Sequence, residues 1–240
     1  MNSGEILNEI NHRPIPLPQG SWIIYQEWQK VLFIHWAADV HELQQYVPGA
    51  LITDTFKGTA WLSLVVFRLA NVRPRFLPPI PPISNANEIN FRTYVKYKGK
   101  PGIYFLSMEL GKPVSNFLAR YLTGLPYRYS EIDNKSTQYS SRNKEYGDKL
   151  EVEYEIKNKL LNKSPLDKWL TERYALFQDS RKNSIMEYEI HHHEWPLHEV
   201  GIKRKIINYD RFGVLIHSEP ALVHYSPGVE VLTWGRRNHG

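Results

Sequence analysis

The 240-residue chain contains no cysteine. Disulfides, cysteine-ligated zinc, iron–sulfur clusters and thiol nucleophiles are therefore excluded, and with no sign of an oxidising compartment a cytoplasmic location is the expectation. Long apolar runs are missing as well. No stretch approaches the roughly 20 residues that cross a bilayer as a helix. The opening MNSGEILNEINHRPIPLPQG lacks the basic-then-apolar order of a secretion signal, so no membrane partner is expected. Glycine-built motifs are absent too: no G-x-S-x-G exposes a serine, and no G-x-x-x-x-G-K-[ST] or G-x-G-x-x-G cradles phosphate. No cofactor is implied.

Charge of one sign is also scarce in any one place. The net charge of +5 comes from 30 Lys and Arg scattered among 25 Asp and Glu, as in DNKSTQYSSRNKEYGDKLEVEYEIKNK. A basic stripe of the kind that tracks a phosphate backbone does not form, which leaves nucleic-acid binding as a minor alternative. The densest run, IKRKII, sets Lys203 and Lys205 against Arg204 and reads as a charge-protected strand edge.

What is present is strand-like. With 42% hydrophobic residues the chain can bury a full core, and residues 1–240 read as one β-rich domain with a polar, proline-rich arm over 1–21. WIIYQEWQKVLFIHW mixes aromatic and β-branched residues, and TAWLSLVVFRLANV is apolar on both faces. Short helices are expected after Asp39, which can cap with Glu42 three residues on, and after Ser164, which precedes a first-turn Pro165. A third, in VSNFLARYLTG, should start near Ser115, turn Phe117, Leu118, Tyr121 and Leu122 inward, and stop at Gly124. The proline cluster RPRFLPPIPPIS acts as a stiff connector.

HHHEWPLHE invites a metal reading. On a strand His191 and His193 share one face, with His198 and His224 as possible further ligands, but His192 points to the other face, His198 lies beyond the Trp195-Pro196 break, and the helical H-E-x-x-H spacing is missing. The expectation is no metal, with solvent-facing or hydrogen-bonded histidines. Ser63, Ser84 and Ser107 lie in strand or loop contexts without a glycine turn, so a serine hydrolase is not expected.

The hairpin NEINFRTYVKYKGKPGIYFLSMEL poses the central question, because Glu88, Asn90, Arg92, Tyr94, Lys96 and Lys98 alternate onto one face. By pattern alone that face could meet water. The return strand, however, has Tyr104, Leu106, Met108 and Leu110 on one side and Ile103 and Phe105 on the other. Such a double-sided apolar partner favours an enclosed face.

Six strings are distinctive: HRPIPLPQGSWI, LFIHWAADVHELQQYVPGALITDTFKGTAWLSLVVF, NEINFRTYVKYKGKPGIYFLSME, LPYRYSEI, WLTERYALF and EWPLHEV. Through them the chain resembles the YqjF-like family of uncharacterised bacterial proteins over nearly its whole length. That family is similar in architecture to acetoacetate decarboxylase, which implies an antiparallel β barrel or cone around a pocket, with a few short flanking helices. The decarboxylase pattern D-x-x-x-L-x-x-x-V-P is matched from Asp39 to Pro48, and its pocket glutamate, eleven residues before a turn glycine, is matched by Glu88 and Gly99. Its Pro-Lys-Lys, which supplies the Schiff-base lysine, is replaced by Pro126-Tyr127-Arg128.

A phenol or guanidinium cannot condense with a ketone to form the imine that β-keto acid decarboxylation uses, so acetoacetate decarboxylation is not expected. The resemblance implies instead a pocket in which Glu88 and Tyr127 are the candidate acid–base groups. Arg92, Arg128, Tyr94 and Asn90 are the candidate ligand-binding groups. The expected partner is a small carboxylate or carbonyl metabolite, bound without turnover or processed by hydration, tautomerisation or lactone opening; a homo-oligomer is compatible with this.

Overall fold

The computed structural model describes residues 3–180 and 184–239, and strands dominate it. In chain order these are α1 (Ser3–Asn8), β1 (Ile24–Ala38), α2 (Val40–Gln44), β2 (Ile52–Thr53), β3 (Thr55–Phe56), β4 (Thr59–Pro74), α3 (Pro81–Ser84), β5 (Ala86–Tyr97) and β6 (Lys100–Leu110). There follow α4 (Pro113–Thr123), β7 (Tyr127–Tyr129), β8 (Glu131–Lys135), β9 (Gln138–Arg142), β10 (Lys149–Lys159), α5 (Pro165–Thr171) and β11 (Ala175–Asp179). The chain ends with β12 (Ile185–His192), β13 (His198–Asn208), a 3₁₀ turn (Asp210–Leu215), β14 (Leu222–Thr233) and β15 (Arg237–His239).

Local chemistry sets the boundaries. Asp39, in extended conformation, accepts from the His41 and Glu42 amides at 2.8 and 3.0 Å and starts α2. Lys98 and Gly99, with φ of 49° and 83°, form the two-residue left-handed turn whose twist matches the β5–β6 hairpin. Ser164 and Asp167 cap α5 reciprocally, the Ser164 hydroxyl accepting from the Asp167 amide at 3.1 Å and the Asp167 carboxylate from the Ser164 amide at 2.7 Å.

The strand pairings return on themselves. From β12 the ladder passes through β11, β6, β5, β4, β1 and β14, and β14 pairs with β12 again. The outer face of this circuit packs on the β8–β9–β10–β13 layer through Leu32, Ile34, Leu64, Phe91, Tyr154 and Phe212. The inner face carries two further clusters, one around Phe33, Val65 and Trp195 and one around Trp61, Tyr94, Phe105 and Leu170.

Two expectations from the sequence need correction. Phe91 pairs with Ser107 but Arg92 with Phe105, so Leu106 is the extra residue of a β-bulge. The bulge switches parity, which puts Ile103, Phe105 and Met108 on one face and Tyr104 in a different cluster. The double-sided apolarity of β6 is therefore partly a bulge in disguise. In α4, Lys112 is the N-cap and Pro113 opens the helix, while Phe117, Tyr121 and Leu122 are 69%, 79% and 73% exposed. The helix is amphipathic, but its apolar stripe faces outward, since α4 meets the sheet along the side that carries buried Ser115.

Candidate functional site

Register decides which side chains share the inner face. Pairing across the sheet aligns His224, Phe33, Val65, Asn90, Met108 and Tyr127 in one row from β14 to β7. The row below aligns Leu222, His35, Ser63, Arg92 and Phe105, and the row above pairs Phe67 with Glu88. Glu88, Asn90, Arg92 and Tyr94 thus descend the inner face of β5. At about 6.6 Å per two residues, they form a line about 20 Å long. All four are buried.

At the upper end, the Asn90 amide and the Tyr127 phenol are the polar neighbours that favour the charged form of the Glu88 carboxyl. Burial raises the Glu88 pKa to about 8, against the opposing pull of these two neighbours, so the carboxyl is protonated at neutral pH. Burial first, then Glu88 and Tyr188, push the Tyr127 phenol well above its ordinary range. Tyr127 is half-buried as a residue, and its hydroxyl end lies in this desolvated group. The Asn90 Oδ1 has no partner among the described residues.

Arg92 lies midway. It is 7% exposed, donates from Nη2 to the Leu170 carbonyl at 3.2 Å, and leaves Nε unpaired. Its guanidinium stands 5.6 Å from the Phe33 ring centroid and 5.9 Å from that of Tyr94. No ion pair to Arg92 occurs among the described residues. A buried cation without a carboxylate is costly, by several kcal/mol.

Below Arg92 the polar line turns across the sheet. The Tyr94 hydroxyl donates to the Leu170 carbonyl at 2.9 Å and meets the Ser63 hydroxyl at 2.6 Å. His35 Nδ1 lies 2.7 Å from Ser63 Oγ, His35 Nε2 lies 3.2 Å from His224 Nδ1, and His224 Nε2 lies 3.0 Å from Asp167 Oδ1. The carboxylate that caps α5 through Oδ2 thus engages His224 through Oδ1.

Arg128 stands apart from the other sequence-derived candidates. Adjacent residues of β7 point to opposite sides, so with Tyr127 inside, Arg128 stacks 4.0 Å over the Tyr146 ring and does not meet Glu88. The nearby lysines are also outside the line: Lys96 pairs with Asp54 at 2.8 Å, and Lys100 with Glu187 and Glu189 at 2.5 and 2.8 Å. In the histidine run, His191 and His192 are buried; His191 Nε2 bonds the Ile6 carbonyl at 2.8 Å, and His193 meets Glu9 at 2.7 Å. A cleft of about 800 Å³ opens between the N-terminal arm and α5, lined by Asp54, Phe56, Lys96, Trp169 and Arg173 among others. Trp169 and Arg173 stand between it and Tyr94, 4.6 and 5.1 Å from the Tyr94 ring centroid.

His35, Ser63, His224 and Asp167 were not singled out together from the sequence. One signal was available, a lone histidine in the apolar run VLFIHW. Its partners come from three other elements, β4, β14 and α5.

The strand-rich fold with few short helices is similar to those of acetoacetate-decarboxylase-like proteins. The chain superposes on an acetoacetate decarboxylase-like enzyme from Sphingomonas wittichii RW1 with a TM-score of 0.65 at 14% identity, covering 93% of this chain and 96% of that one. For the enduracididine biosynthesis enzyme MppR complexed with pyruvate, the TM-score is 0.61 at 11% identity, covering 94% and 92%. At these identities the likeness is one of fold. The chain belongs to the DUF2071 family of uncharacterised conserved proteins, whose model matches residues 25–230. It is also 38% identical over 234 residues to the uncharacterised protein YqjF of Bacillus subtilis (strain 168), covering 93% of this chain and 95% of that protein.

Proposed function

We propose that the inner-face line from Glu88 to Tyr94 binds a small carboxylate or carbonyl metabolite, with Arg92 holding its anionic group. One observation carries the reading: Arg92 is buried without an ion pair among the described residues while Glu88, two inner-face positions away, is kept neutral by burial. A neutral acid cannot compensate the guanidinium, so the wall keeps a positive charge that an anion would neutralise through charge-assisted hydrogen bonds. Asn90 Oδ1 and Arg92 Nε are free to meet polar atoms of such a ligand. The similarity in fold to MppR complexed with pyruvate gives a model ligand of suitable size.

Where the ligand is processed, the chemistry is acid–base. Protonated Glu88 can give a proton to a carbonyl or alkene carbon and Tyr127 can hydrogen-bond the developing oxyanion, which suits hydration, tautomerisation or lactone opening. Imine chemistry is not part of this reading, since Tyr127 and Arg128 stand where the resemblance would place the lysine pair, and Lys96 and Lys100 are held in ion pairs.

A thermal-shift panel of small carboxylates, including pyruvate and acetate, tests the binding. At a concentration of 100 times Kd a ligand adds about 2.7 kcal/mol of stability. The expected result is a dose-dependent rise in Tm for the wild type that is lost in Arg92→Gln; equal responses in both proteins would remove Arg92 from the site.

A further inference from the structure

We propose that Asp167, His224, His35, Ser63 and Tyr94 form a buried proton relay that stores one excess proton on its imidazole pair and delivers it at the Tyr94 hydroxyl, beside Arg92. The five residues are buried, and each contact in the chain, up to the Leu170 carbonyl, spans between 2.6 and 3.2 Å.

Donor direction fixes the number of protons. The Leu170 carbonyl only accepts, and so does an ionised Asp167; the chain therefore has an acceptor at both ends. Since Tyr94 gives its proton to Leu170, Ser63 must donate to Tyr94, His35 Nδ1–H to Ser63, and His224 Nδ1–H to His35 Nε2. His224 Nε2 then meets Asp167 Oδ1 as a hydrogen bond only if it too carries a proton. Tyr94, Ser63 and two neutral imidazoles supply one proton each, one short of what the contacts require. His224 is accordingly an imidazolium paired with Asp167.

The surroundings agree with this placement. The hydrogen bond from His224, followed by the Ser164 contacts, holds the Asp167 carboxyl down at about 2, so it is ionised. Burial, then His224 and Arg92, disfavour a charge on His35. The other charges facing the chain are Arg173, 5.1 Å from the Tyr94 ring centroid, and its partner Asp54, which also binds Lys96. With Arg92 and Arg173 near its Tyr94 end, the chain gives up a proton readily only when an anion arrives there.

Delivery balances atom by atom. His224 passes its Nδ1 proton to His35 Nε2, His35 passes its Nδ1 proton to Ser63, Ser63 passes its own to Tyr94, and Tyr94 gives its proton to the ligand oxygen. His224 keeps Nε2–H on Asp167, the three contacts from His224 Nδ1 to the Tyr94 hydroxyl reverse their donor direction, and Leu170 retains the Arg92 Nη2 donor at 3.2 Å. Reprotonation retraces the same hops from the Tyr94 end back to His224 Nδ1, because His224 Nε2 already carries its proton and cannot take one from Asp167. Ordinary mutual satisfaction of buried polar groups explains the contacts and the extra proton that they require, but it gives no use to their reversible polarity.

The destination of the proton rests on the binding reading above; its presence does not. Nitrogen-15 NMR of histidine-labelled full-length protein, without ligand, reads protonation and tautomer directly. At pH 7 the wild type should show His224 protonated on both nitrogens and His35 on Nδ1. Tyr94→Phe keeps the ring but removes the terminal donor, and the shortened chain is satisfied by neutral groups. In that variant His224 should become neutral and His35 should move its proton to Nε2. A neutral His224 in the wild type, or identical states in both proteins, would overturn the relay. Pyruvate binding plays no part in this readout, so the two proposals fail separately.

Discussion

Replacing Glu88 by Gln should stabilise the ligand-free protein, increasingly so as pH rises. The carboxyl titrates near 4.5 in the unfolded chain and at about 8 in the folded one, because burial disfavours the anion. Between these values the unfolded state releases a proton that the folded state keeps, so unfolding gains with pH. The raised pKa therefore contributes its full stabilising share below about pH 4.5 and loses it as pH climbs through 8. At 1.36 kcal/mol per unit, the penalty at pH 7 is about 3 kcal/mol, an upper figure because local relaxation offsets part of it. Gln keeps the shape and neutrality of the protonated acid and has no such penalty. For a chain of this length Tm should rise by roughly 6–12 °C at pH 7, with no gain at pH 4. Calorimetry across pH 4 to 8 reads this directly. A variant less stable by the same amount at every pH would mean that Glu88 is ionised in the fold.

Three other outcomes follow from the packing. A Cβ on Gly102 would lie 2.7 Å from both the Ala175 carbonyl oxygen and the Phe177 ring where β6 meets β11, so Gly102→Ala should cost roughly 1–3 kcal/mol in urea unfolding; no change would mean that this seam is looser than described. Phe117→Ser and Leu122→Ser in α4 should change stability by at most about 0.5 kcal/mol, because both side chains are largely exposed, whereas losses of about 3 kcal/mol or more would place them in a core. Borohydride treatment with acetoacetate should leave every lysine peptide unmodified. A trapped adduct whose lysine is required for decarboxylation would restore the imine mechanism.

Much of this was legible where the information is local. The alternation of Glu88, Asn90, Arg92 and Tyr94 put them on one side of β5, and the caps at Asp39 and Ser164 marked two helix starts because capping depends on residues three apart. The bulge at Leu106 was invisible, since one inserted residue changes parity without changing composition. The outward stripe of α4 was hidden because amphipathicity gives a face but not what it packs against. Arg128 could have been separated from Tyr127 on strand parity alone. The link from His35 to Ser63 and His224 required register across β14, β1 and β4, which depends on pairing between distant segments.

The central claim is that a neutral Glu88 and an unpaired Arg92 make the inner wall a site for a small anion. Mass spectrometry of the small molecules released on denaturing protein purified natively, with wild type and Arg92→Gln prepared in parallel, tests it most directly. A small carboxylic or keto acid should be released in stoichiometric amount by the wild type and not by the variant. The same compounds in equal amounts from both, or none from either together with no wild-type thermal shift by any carboxylate of the panel, would contradict it.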